Sequence, residues 1–137
     1  MKKGNIENKK KIEWILRIAL FGEFLWHGIF ALQLKEKFVE MLIDSFSFIG
    51  ISIGLETAGK FMLLVGGLDI FVAILALAFP FRLLFIWASI WGFLTALARP
   101  ISGDPIWDFV ERWANVGVPL ALLYLRGLPR KFKELFR

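Results

Sequence analysis

The chain has no cysteine and a single histidine among its 137 residues. Without thiols it can form no disulfide, no thiolate metal ligand and no dithiol relay of its own. A lone imidazole, His27, excludes bis-histidine haem ligation within a monomer. It also excludes a di-iron bundle, which needs two Glu-x-x-His motifs. Charged residues are scarce as well, at 21% against 58% hydrophobic, and mean hydropathy is +0.65. No glycine-rich dinucleotide fingerprint follows a strand, and there is no P-loop and no HExxH. What remains is too apolar for a soluble domain of this size, and the apolar residues run in long blocks. They describe one compact membrane domain.

The blocks predict an all-α, four-helix transmembrane bundle with spans over residues 12–34, 58–79, 83–98 and 107–125. Most are close to the roughly 20 residues that cross ~30 Å of hydrocarbon. The first span follows a polar leader, Lys2 to Lys11, and reads as a span rather than a cleaved signal because Arg17, Glu23 and His27 interrupt it. Between the first two spans, Phe38, Met41, Leu42, Ile49 and Ile53 make an apolar stripe, with Lys37, Glu40, Asp44 and Ser47 elsewhere. This predicts an interfacial helix leading into a turn within residues 35–55. The net charge of +5 comes mostly from the tails: the leader with Arg17, the hairpin at Arg82 and the tail from Arg126 hold 12 of the 17 Lys and Arg. The positive-inside rule then puts both termini in the cytoplasm. The same placement, beside spans, makes the basic residues lipid anchors rather than a nucleic-acid surface.

Within that apolar frame a few ionisable residues stand out. Glu23 and His27 are four apart, one helical turn on one face. Asp69 lies on a small-residue face with Gly66 and Ala73, where a neighbouring helix can approach closely. Thr95 and Arg99 share a face of the third span, and Glu111, Arg112 and Asn115 share one of the fourth, ahead of a helix-bending Pro119. Charge inside a membrane is costly, so these groups should face the bundle interior or a wet crevice. The arrangement predicts Glu23 and Asp69 at mid-depth and His27, Thr95, Arg99, Glu111, Arg112 and Asn115 towards the outer leaflet. At least one carboxylate–arginine pair is expected, joining Glu111 or Glu23 to Arg99 or Arg112. Three readings stay open: a structural ion-pair network, a ligand site, and a mononuclear metal site built from Glu23, His27 and Asp69 or Glu111.

Several segments resemble the DoxX family and the wider DoxD/DoxX-like membrane superfamily. They are Phe24-Leu25-Trp26-His27-Gly28-Ile29, Leu64-Val65-Gly66-Gly67-Leu68-Asp69-Ile70, the run from Trp91 through Arg99-Pro100 to Gly103, and Glu111-Arg112-Trp113-Ala114-Asn115 with Pro119. Asp69 stands where many such proteins carry a glutamate, which keeps the carboxylate and shortens its reach. The resemblance implies a four-helix bundle in the cytoplasmic membrane of a prokaryote. It also implies links to quinone-coupled sulfur oxidation or oxidative-stress complexes, often through partner subunits, and it carries no catalytic residue over to this chain. The function expected is therefore an accessory or ligand-binding subunit of a membrane redox system. A quinone or lipid would sit in an outward-facing polar crevice lined by Glu23, His27, Asp69, Thr95, Arg99, Glu111, Arg112 and Asn115. The bilayer, a membrane or redox subunit and a second copy of the chain are its expected partners. The alternative is a membrane oxidoreductase or proton-coupled carrier working through Glu23, His27 and Asp69.

Overall fold

The computed structural model describes the backbone of residues 2–137 and the side chains from Gly4 onward. Helix accounts for 82% of the chain, and no strand is present among the described residues. The elements are α1 (Lys2–Leu32), α2 (Glu36–Phe48), α3 (Leu55–Ala78), α4 (Arg82–Ile101), the single turn α5 (Ile106–Val110) and α6 (Trp113–Arg126), closed by a short 3-10 turn at Phe132–Phe136. Among the described residues three stretches are long and apolar enough to cross a membrane: Gly4–Leu32, Leu55–Ala78 and Arg82–Ile101.

Two expected boundaries move. The polar leader is helical and continuous with the first span, supported by an exposed i,i+4 pair between Glu7 and Lys11 (2.8 Å). The last span is not continuous. Between Val110 and Trp113 the chain turns, with Arg112 in the bridge region (φ −88°, ψ 6°), before α6 begins. Elsewhere the helix ends follow local chemistry. Leu34 takes a left-handed conformation (φ 49°) that ends the α1 direction, and Gly50 (φ 82°) and Gly127 (φ 81°) follow α2 and α6. Pro80 prevents α3 from running on into α4.

The packing does not follow chain order. α1 lies along α3 and α4 lies along α6, α1 also touches α6, and the consecutive helices α3 and α4 meet only lightly. Two close crossings set this arrangement. At the first, a Cβ on Gly28 would stand 3.0 Å from the Gly66 carbonyl oxygen, and one on Gly66 would stand 2.9 Å from that of Gly28. At the second, a Cβ on Gly92 would stand 2.7 Å from the Asn115 carbonyl oxygen. That carbonyl is the one Pro119 cannot serve, since proline has no N–H to offer residue i−4. Gly92 and Pro119 thus fit the same contact from opposite sides, the carbonyl that Pro119 frees being covered by glycine. The main core of Leu20, Phe24, Val72, Phe85, Ala88 and Leu122 fills the middle of the bundle. A second cluster of Ala31, Val39, Ala58 and Met62 seats α2 against α1 and α3.

One end of the bundle is held by arginines. Arg17, only 8% exposed, donates from Nε to the Ala76 carbonyl (2.8 Å) and from Nη2 to that of Leu77, and its guanidinium lies 4.1 Å over the Trp14 ring. Arg126 pairs with Glu13 (2.6 Å) and donates to Pro80 O (2.5 Å). Arg82 donates to the carbonyls of Arg126 (2.5 Å) and Gly127 (2.6 Å). These cations neutralise the unpaired carbonyls at the C-terminal ends of α3 and α6, where the helix dipole is negative.

Candidate functional site

The two glycine crossings leave a space between them. Gly28 sets the height of its neighbour His27 on α1, and Gly66 sets that of Asp69, one turn further along α3. Gly92 does the same for Trp91 and Thr95 on α4. The result is a cavity of about 210 Å³, with His27, Asp69, Trp91, Thr95, Arg99 and Arg112 supplying its polar lining. Phe38, Met41, Leu42 and Ser45 of α2 close it on one side, and Met62, Val65 and Leu94 complete an apolar wall. An apolar pocket with a few convergent polar groups is the usual form of a small-molecule site.

Five of the eight expected residues therefore meet around one space: His27, Asp69, Thr95, Arg99 and Arg112. The other three do not line it. Glu23 is half-buried one turn below His27. Asn115 contributes its backbone to the Gly92 crossing instead. Glu111 is exposed, because the turn after Val110 rotates it off the face that a continuous helix would have given it. The expected ion pair is also different. Neither Glu23 nor Glu111 is paired among the described residues. Arg99 meets Asp104 (3.4 Å) from the loop beyond its own helix, and Asp104 also takes Lys37 of α2 (2.6 Å). Nor do three His, Asp or Glu side chains converge among the described residues, so the metal arrangement of Glu23, His27 and Asp69 or Glu111 is not formed.

Inside the cavity the hydrogen bonds are only partly made. Arg112 Nη1 lies 3.3 Å from His27 Nε2. A guanidinium only donates, so Nε2 accepts, and the ring is neutral with its proton on Nδ1. The Thr95 hydroxyl donates to its own helix at Gly92 O (3.1 Å), and Ser45 to Met41 O (2.6 Å). Asp69 is 4% exposed, yet its Oδ1 has no partner, and neither does Arg112 Nε. At the rim, the hydrogen bond from Lys37 holds the Asp104 carboxyl below the usual carboxylate range, with Arg99 acting in the same direction.

The α2 wall is what the sequence reading missed. Its stripe at Phe38, Met41 and Leu42 was visible, but nothing local says that it faces a cavity rather than lipid. Asp104 was missed because its partner Lys37 lies 67 residues away. No family model matches the chain, and no curated protein or solved structure matches it.

Proposed function

We propose that the chain is a DoxX-like multi-pass membrane protein that holds a small lipophilic molecule, such as a quinone or a lipid, in the cavity between α1, α2, α3 and α4. It acts as an accessory or ligand-binding subunit beside a membrane redox partner in the cytoplasmic membrane of a prokaryote. The observation that carries this reading is the cavity itself: apolar on most sides, with His27, Asp69, Thr95, Arg99 and Arg112 gathered on the rest. In this reading α5 and α6 together form a fourth crossing. The 14 residues of α6 rise about 21 Å at 1.5 Å per residue, and the turn and α5 before it make up the rest of the crossing. The excess of Lys and Arg near Arg17, Arg82 and Arg126 favours cytoplasmic termini, with α2 at the outer surface.

The test is native mass spectrometry of the full chain released from mild detergent, compared with Ala98→Phe, which puts a ring into the cavity. A retained small molecule of defined mass, absent from a folded Ala98→Phe variant, is the expected result. A bare chain in both samples sinks the ligand-binding role. Quinone-dependent turnover by the isolated chain, abolished in folded Glu23→Gln or His27→Ala, would replace the accessory role with that of a membrane oxidoreductase or proton-coupled carrier.

A further inference from the structure

Along the outside of the α1–α6 contact runs a shallow groove, with Lys9, Ile12 and Leu16 on one wall and Ala121, Tyr124 and Leu125 on the other. The spacing 9, 12 and 16 keeps the first three on one face of α1. The Glu13–Arg126 pair fixes the level at which the two helices meet. Leu16 and Ala121 lie on the apolar side of that pair, and Ile12 and Leu125 lie close to it. Lys9 is one turn further out, about 6 Å along the axis, past the residue at which α6 ends. Tyr124 is exposed near the same end, a residue type that settles between hydrocarbon and headgroups. The groove is therefore apolar at its inner end and cationic at its outer end.

The charge at that outer end is not used within the chain. Lys9 and its neighbour Lys10 make no ion pair among the described residues, whereas Lys11 is taken by Glu7 and Arg126 by Glu13. Arg17, next to Leu16, donates to carbonyls and not to a carboxylate, so its charge also stands uncancelled. We propose that this groove binds an anionic glycerophospholipid, with an acyl chain along Ile12, Leu16, Ala121 and Leu125 and the phosphate on Lys9. A zwitterionic headgroup brings its own cation into the positive field, which offsets the attraction. A net anion keeps it, at about fivefold in affinity per basic residue near the surface. A second copy of the chain is the poorer occupant, because a two-fold axis along the groove would set one Lys9 against the other. The site is separate from the cavity and requires only that α1 lie in a bilayer.

The experiment is native mass spectrometry of the full chain in mild detergent, titrated with phosphatidylglycerol or with phosphatidylcholine of identical acyl chains. The first phosphatidylglycerol should bind at least about fivefold more tightly than the first phosphatidylcholine. Lys9→Gln should weaken phosphatidylglycerol about fivefold, and Lys10→Gln, which removes the same charge on a different face, by less than about twofold. Ala121→Phe, which fills the apolar end, should weaken both lipids, and Ala98→Phe, which fills the cavity, should weaken neither. Equal losses in the two lysine variants would mean a diffuse surface attraction and overturn the site. No preference between the lipids, or a preference that survives Lys9→Gln, overturns the headgroup assignment. Loss of the lipid in Ala98→Phe moves it into the cavity and overturns the groove. A lipid-free dimer dispersed by Ala121→Phe puts a second copy there instead. Should Ala121→Phe not fold, the comparison of the two lysine variants decides.

Discussion

Gly92 is the residue on which the α4–α6 half of the cavity depends most directly. Alanine there would put a methyl carbon 2.7 Å from the Asn115 carbonyl oxygen, a backbone atom with no rotamer to escape through. Gly92→Ala should therefore push α6 away and lower stability by about 1–3 kcal/mol, the usual range for overpacking. Thermal unfolding in detergent would show it as a lower midpoint. Gly67, with nothing within 4 Å of an added Cβ, is the internal control, and Gly67→Ala should leave the midpoint unchanged or slightly higher. A second residue-scale prediction concerns Arg17. Arg17→Leu keeps the bulk but strands the Ala76 and Leu77 carbonyls. Hydrogen bonds to charged groups contribute about 1.5–3 kcal/mol each at most, so a loss of a few kcal/mol is expected. Arg17→Lys should recover only part, because an ammonium is a compact point charge that cannot reproduce the guanidinium fork or its stacking over Trp14. An Arg17→Leu chain with unaltered unfolding would mean that the arginine end contributes nothing.

Among the elements, α2 is the wall that closes the cavity on one side. Apolar contacts seat it, and one ion pair to another element, Lys37 to Asp104, fastens its outer edge. The lowered folded-state pKa of Asp104, caused first by Lys37, fixes the direction of the pH effect. The stabilisation is complete above the ordinary aspartate value of about 4 and is lost as pH falls through the lowered one. Protection factors over residues 36–48, taken relative to the intrinsic exchange rate at each pH, should accordingly fall at acid pH. In Asp104→Asn the protection should be low already at neutral pH and insensitive to acid. Equal protection in both chains across the range would show that the apolar seat alone holds α2. The same element shows where sequence reading works and where it stops. The stripe of Phe38, Met41 and Leu42 is a local pattern and was legible. Ile49 and Ile53 share the spacing but fall beyond Phe48, where the helix ends. The continuous apolar runs of α1, α3 and α4 were equally plain. Glu111 was misplaced because helical spacing was carried across a turn that no proline or glycine marks. Arg17 read as a headgroup anchor because the carbonyls it serves belong to a helix end brought beside it only by the fold.

At the scale of the whole molecule the chain is two helix pairs, α1 with α3 and α4 with α6, joined by the α1–α6 contact and by the arginine end. Reporter fusions at residue 137 and in the 49–54 turn should fall on opposite sides of the membrane, with the former in the cytoplasm. A common side for both would remove the four-crossing reading. The order of these partners along the chain also has a consequence for biosynthesis. Arg17 enters the bilayer in the first helix, but the carbonyls it needs lie 59 and 60 residues later, and the partner of Glu13 lies 113 residues later. At ~5–20 residues per second, α1 waits about 3–12 s for α3, with its buried charge still hydrated or shielded by the insertion machinery. The absence of cysteine makes that interval directly readable. In Leu20→Cys, a water-soluble maleimide should label nascent chains halted at residue 70, before Ala76 exists, and should fail to label chains that have passed α3. α1 is thus made well before the groups that settle it in place.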